Sequence, residues 1–160
     1  MKTIKSILFL IVMFAAFQMS FNSVFAQSED ETPTSSSVVI TQGIQAAEVG
    51  VVYWQNEKLH AMDYCLPGDR QNECLAMEVR SEQQIIKWTN ELAYQVDLAG
   101  KYVVHSHSYW TAKKYLGWAY KTREAVQALF EATGRKELRM IVVALDRAIE
   151  AAERILKMFE

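Results

Sequence analysis

Apolar side chains recur at alternating steps of three and four residues along most of the chain, which is the spacing of amphipathic helices. Paired valines near residues 38 and 51 favour a strand locally, but the helical spacing continues through them. The pattern therefore predicts four helices. They extend over roughly residues 38–65, 71–99, 102–130 and 138–159.

Proline and glycine mark the breaks between these helices. Pro67 cannot continue a helix and Gly68 accepts a turn, while Gly100 and Gly134 are expected to end the second and third helices. Helices of similar length joined by short loops favour an all-α, antiparallel up-down-up-down four-helix bundle over residues 38–160. The alternative at Gly100 is that the second and third helices form one long kinked helix.

Residues 1–26 have the pattern of a secretory signal peptide. Lys2 and Lys5 form a short positive region, an apolar stretch follows from Ile7 to Phe17, and Val24-Phe25-Ala26 matches a cleavage site. An uncleaved anchor is the alternative, although the apolar stretch is shorter than the ~20 residues of a membrane span. We expect an exported bacterial chain, periplasmic or extracellular, with no membrane span after cleavage.

Residues 27–37, with the sequence QSEDETPTSSS, contain no aliphatic or aromatic side chain. Such a segment buries too little apolar surface to offset the entropy cost of ordering it. It is predicted to be a flexible tail, so the folded domain is expected to begin at residue 38.

The charge balance argues against two classes of partner. The chain has 17 basic and 19 acidic residues, which gives a formal net charge of −2. Without Lys2 and Lys5 of the leader, 15 basic residues stand against 19 acidic ones, a net charge of about −4. Because the chain is mildly acidic and its charges are interspersed, we expect neither nucleic acid nor an anionic membrane as a partner.

Two cysteines, Cys65 and Cys74, bracket the sequence CLPGDRQNEC. In an oxidising compartment, two cysteines this close across a Pro-Gly turn are expected to pair. Their disulfide would close the loop between the first two helices. A redox pair is the alternative, but the spacing is not the C-x-x-C that lowers a thiol pKa.

The stretch VHSHSYW contains two of the three histidines, His105 and His107. On a helix their side chains point about 200° apart, and His60 is expected at the other end of the bundle, so no metal site is predicted. His105 falls on the inward stripe, where it is interpreted as a hydrogen-bonded core residue. The alternative is a haem or a small apolar ligand held by His105 and Met158.

The third predicted helix carries more aromatic residues than one inward face can hold. One outward set combines aromatic and basic side chains within about 80° of one another, which suits a protein-binding surface. The alternative is that part of this set is buried by the tail or by rotation of the helix in the bundle. The set is Val103, His107, Trp110, Lys114, Trp118 and Lys121.

The sequence contains no phosphate-binding loop, dinucleotide-binding glycine motif or zinc-protease motif. We therefore expect no enzyme activity and no cofactor. The interpretation that the residues favour is a small exported helical module that binds another protein or forms a homodimer. The alternatives are the ligand-holding bundle around His105 and a structural or stress-related envelope protein without a discrete site.

Overall fold

The computed structural model describes residues 35–64 and 71–160, and in this part of the chain all regular structure is helical. The prediction of an all-α fold with four helices is confirmed for these residues. The predicted leader and residues 27–34 of the predicted tail lie outside them, whereas residues 35–37 already belong to the first helix. The helices are α1 (Ser35–Tyr64), α2 (Gln71–Ser106), α3 (Tyr109–Thr133) and α4 (Lys136–Lys157).

Contacts between side chains fix the direction of each helix relative to its neighbour. Gly43 near the start of α1 lies against Gln95 of α2, and Lys58 near the end of α1 pairs with Glu82. Residue numbers in α1 therefore increase where those of the contacting residues in α2 decrease, so α1 and α2 are antiparallel. Helices α3 and α4 are also antiparallel, since Tyr109 contacts Phe159 and Arg123 pairs with Asp146 at 2.7 Å.

The order of neighbours differs from that of a simple up-down bundle, in which consecutive helices lie side by side. The backbone of α2 lies close to α1 on one side and to α4 on another, while α2 and α3 approach each other sparsely. Arg135 at the start of α4 binds Glu82 of α2, and Ala148 further along α4 lies against Gly100 further along α2. Helices α2 and α4 therefore run parallel.

The boundary between α2 and α3 was predicted wrongly. Gly100 lies inside α2, which continues to Ser106, and the chain turns at His107 and Ser108. His107 has a positive φ of 46°, and the Ser108 side chain accepts a hydrogen bond from the Thr111 N–H at 3.3 Å. A serine cap therefore starts α3 seven residues after the predicted start. The prediction for Gly134 is confirmed, since its φ of 67° ends α3.

One core contains side chains from all four helices. The predicted apolar stripes of α1 and α4 contribute Ile44, Val51, Ile141 and Leu145, all of which are fully buried. Burial of such side chains stabilises the fold by roughly 1.5–3 kcal/mol each relative to exposure.

A cluster of charged residues joins three of the helices at one end of this core. Glu82 of α2 pairs with Lys58 of α1 and with Arg135 at 2.7 Å, and Arg135 also binds Glu137 of α4 at 2.6 Å. Burial raises the pKa of Glu82, but the hydrogen bonds and charges of Lys58 and Arg135 outweigh it and hold that pKa below its ordinary value. Glu82 is therefore ionised in the folded protein at neutral pH.

The predicted disulfide involves a residue that the structure does not describe. Cys74 lies in the first turns of α2, and the described residues include no free cysteine. Cys65 lies outside the described residues. The pairing of Cys65 with Cys74 stays a prediction.

Candidate interaction surface

Three of the six residues predicted for a partner-binding surface share the outer side of α3. Trp110, Lys114 and Lys121 lie on one face of the helix and all are exposed. Trp110 is the extreme case, because 63% of its surface is open to solvent. A tryptophan in this position contributes little to the core, so packing alone does not account for it.

The other three residues of the predicted set lie elsewhere. Val103 is fully buried on α2, and Trp118 is 6% exposed on the inner side of α3, where its ring packs against Tyr115 with ring centroids 5.5 Å apart. His107 is exposed in the turn before α3. Trp118 is buried because α3 buries a wider arc than a single apolar stripe. Val103 is buried for another reason, since the turn at His107 and Ser108 places it on α2 and not on α3.

Three exposed residues that the sequence reasoning did not include complete this outer side. Lys113, Gly117 and Tyr120 lie beside or between the retained residues at helical spacing. Their helical spacing from Ala112, Leu116 and Ala119 of the predicted stripe already places them on the outer side. We call the combined surface the Trp110 face. It consists of Trp110, Lys113, Lys114, Gly117, Tyr120 and Lys121.

The aromatic and basic groups of the Trp110 face contact each other. The Lys113 Nζ lies 5.5 Å from the ring centroids of both Tyr109 and Trp110, within cation–π range. Tyr120 donates a hydrogen bond to the Glu153 carboxylate, and this bond raises the pKa of the Tyr120 hydroxyl. These contacts hold the side chains of Trp110 and Tyr120 in place while leaving much of their surface exposed.

Gly117 has no structural role that the described residues explain. A Cβ built on it would meet no atom within 4 Å, and the residue lies mid-helix with a negative φ. Glycine in a helix interior costs roughly 0.5–1 kcal/mol relative to alanine. The cost is not offset by packing inside the molecule, and the missing side chain leaves the centre of the Trp110 face flat.

The residues of the alternative haem or ligand site do not form a ligand pocket. His105 was expected in the core but is exposed at the end of α2, where its Nδ1 lies 2.7 Å from the Lys101 carbonyl oxygen. Met158 is also exposed. The cavity beside His105 has a volume of about 200 Å³, below the roughly 300–1,000 Å³ of ordinary ligand pockets.

The described residues contain neither a cluster of metal ligands nor a helix that could span a membrane. No group of three or more histidine, cysteine or acidic side chains in this part of the chain is arranged to hold a metal ion. None of the helices described is both long and apolar enough to cross a membrane.

Comparisons with known proteins do not assign the chain to a family. No family model matches it, and no curated protein and no solved structure resembles it significantly.

Proposed function

We propose that this protein is a small exported helical module that binds a protein partner through the Trp110 face. The exposure of Trp110 on the same face as Lys113, Lys114 and Lys121 is the observation that supports this function best. Tryptophan and tyrosine dominate the energetics of protein interfaces because they bury large areas at a small cost in side-chain entropy.

Binding would bury the Trp110 indole in a groove of the partner. The three lysines of the Trp110 face would pair with carboxylates at the rim of the contact, where such pairs favour association rate and orientation more than affinity. Gly117, at the centre of the face, would let a partner backbone approach α3 closely. The partner is either another protein or a second copy of this chain.

Site-specific photocrosslinking tests the proposal directly. Benzoylphenylalanine at Trp110 is expected to give a discrete crosslinked product in producing cells, and the same substitution at Tyr53 is not. Tyr53 is a matched control because it is an aromatic residue of α1 that is also about half exposed. A product of twice the chain mass identifies self-association, and any other discrete mass identifies a separate partner.

Two variants examine the chemistry of the contact. Lys114→Glu combined with Lys121→Glu is expected to reduce the crosslinked product, because carboxylates replace two cations of the rim. Gly117→Ala is expected to weaken binding while stabilising the helix by roughly 0.5–1 kcal/mol. Equal products from positions 53 and 110, or no effect of the charge reversals, would contradict the proposal.

Export and the disulfide belong to the same proposal and have their own test. The mass of the chain recovered from the cell envelope or the medium should correspond to a start at Gln27. Alkylation should label Cys65 and Cys74 only after reduction, because the proposed bond closes the loop between α1 and α2. A recovered chain that retains residues 1–26, or two thiols that react without reductant, would contradict these points.

A further inference from the structure

A groove runs along the outside of the parallel helices α2 and α4, on a different part of the molecule from the Trp110 face. Its walls include Tyr94 of α2 with Met140 and Val143 of α4, and both Tyr94 and Met140 are 55% exposed. Ala93 and Ala144 lie between them. The groove is open to solvent and encloses a volume of about 480 Å³.

A smaller cavity extends this groove toward the C-terminal end of α2. The two share Asp97 and Arg147, and the smaller one continues past Gly100 and Ala148 to Ala151. Together they follow α2 from residue 90 to residue 105 and α4 from residue 136 to residue 151. This corresponds to about four helical turns, or roughly 22 Å.

The charges along the groove are mostly positive. Lys136, Arg139 and Arg147 line it, all are exposed, and none forms an ion pair with another described residue. The one carboxylate in its lining, Asp97, is already paired with Lys101 at 2.8 Å. Some basic residues elsewhere are paired, since Lys58, Arg123 and Arg154 each bind a carboxylate.

We propose that this groove binds an acidic amphipathic helix of a protein partner. The length of the groove matches a helix of about four turns, and its open shape suits a helix better than an enclosed small ligand. The apolar side of that helix would contact Tyr94, Met140 and Val143. Its glutamates or aspartates would pair with Lys136, Arg139 and Arg147. Small residues at the base of the groove allow the backbones to approach closely.

A designed peptide is the probe for this site. It has about 15 residues, leucines at the first and fourth positions of each heptad, and glutamates at the exposed positions. Two control peptides have the same composition in scrambled order and lysines in place of the glutamates. We expect the acidic peptide to bind the whole protein and to shift the backbone amide signals of Asn90, Tyr94, Met140 and Val143 in two-dimensional NMR spectra. The control peptides should not shift these signals.

Charge-reversal variants locate the binding. Arg139→Glu combined with Arg147→Glu should weaken binding of the acidic peptide by about tenfold or more, because two attractions become repulsions. The same variant should gain affinity for the lysine peptide. Lys114→Glu combined with Lys121→Glu makes an identical change in net charge on the Trp110 face and should alter the affinity less than about twofold.

The results separate this groove from the Trp110 face. Equal binding of the ordered and scrambled peptides, shifts confined to α3, or equal losses in the two variants would overturn the proposal. A dimer that disappears in the groove variant would also overturn it, because a second copy would then be the occupant. Crosslinking at Trp110 does not depend on the peptide experiment, so either surface can fail without the other.

Discussion

Glu48 carries a carboxyl group that the fold partly removes from solvent. It lies half-buried on α1, and its Oε1 receives no hydrogen bond from the described residues. Burial raises its pKa from 4.5 to about 7. The folded protein therefore holds this carboxyl neutral in a pH range where the unfolded chain ionises it.

This difference predicts that the folded protein loses stability as the pH rises from about 4.5 to about 7. Glu48→Gln should remove that loss. The variant should match the parent protein near pH 4 and exceed it at pH 8 by on the order of 1–2 kcal/mol, a value reduced from the full shift because the group is only half-buried. Urea unfolding at several pH values measures the effect. A constant difference between the two proteins from pH 4 to pH 8 would contradict the assignment.

The two tryptophans of α3 are expected to respond differently to truncation. Trp118→Ala should cost about 3–5 kcal/mol because it empties a buried site next to Tyr115. Trp110→Ala should cost less than about 1 kcal/mol, since only the Lys113 contact and an edge contact with Tyr109 are lost. Thermal unfolding followed by circular dichroism compares them. Similar losses would mean that Trp110 is part of the core.

The sequence predicted the exposure of Trp110 but not the burial of Trp118. A hydrophobic stripe identifies the centre of the buried face, and Ala112, Ala119 and Val126 of that stripe are buried as expected. How far the buried arc extends to either side depends on where the neighbouring helices lie. The pattern of one helix does not contain that information, so residues at the edge of the arc are assigned only by the packing.

At the scale of an element, α2 shows why a glycine was mistaken for a helix end. Glycine ends helices when it adopts a positive φ, as Gly134 does. Gly100 instead has a negative φ and lies against Ala148, where α2 and α4 approach each other closely. Ending a helix and allowing two helices to pack closely both depend on the missing side chain of glycine. The sequence alone therefore does not distinguish Gly134 from Gly100. The serine at position 108 was the better signal in the sequence.

The close approach at Gly100 predicts opposite effects for two glycine substitutions. In Gly100→Ala the new Cβ would lie 2.6 Å from the Ala148 Cβ, so we expect a loss of about 1–3 kcal/mol despite the better helix propensity of alanine. Gly117→Ala meets no atom within 4 Å and should stabilise the protein. Denaturant unfolding of both variants gives the comparison. A gain in stability for Gly100→Ala would show that the two helices can separate at little cost.

At the scale of the molecule, the number of helices and most of the core were predictable, and the arrangement was not. Each of the four described helices has a stripe of apolar residues, and residues of each stripe are buried in the common core. The stripes do not specify which helix faces which, so the adjacency of α2 and α4 was missed. The α2–α4 groove follows from that adjacency, and for this reason no sequence pattern indicated it.

The Glu82 cluster predicts a second dependence of stability on pH, opposite in sign to that of Glu48. Because the pKa of Glu82 is lowered, its contribution is present above pH 4.5 and is lost as the pH falls through its folded value. Glu82→Gln should cost about 1 kcal/mol at pH 7, since Lys58 would lose its carboxylate partner and Arg135 would keep only Glu137. The difference should vanish in acid. A difference that persists at pH 3 would point to lost packing instead.

The same cluster bears on whether the molecule unfolds in one step. The backbone of α1 lies close to α2 and meets the other helices only at isolated points. The link from Lys58 through Glu82 to Arg135 therefore connects α1 to the turn between α3 and α4. Loss of this link should lower the free energy needed to open α1, so we expect amide hydrogens of α1 to exchange with solvent earlier than those of α4 in Glu82→Gln. These three side chains thus raise the free energy needed to open α1 separately from the rest of the molecule.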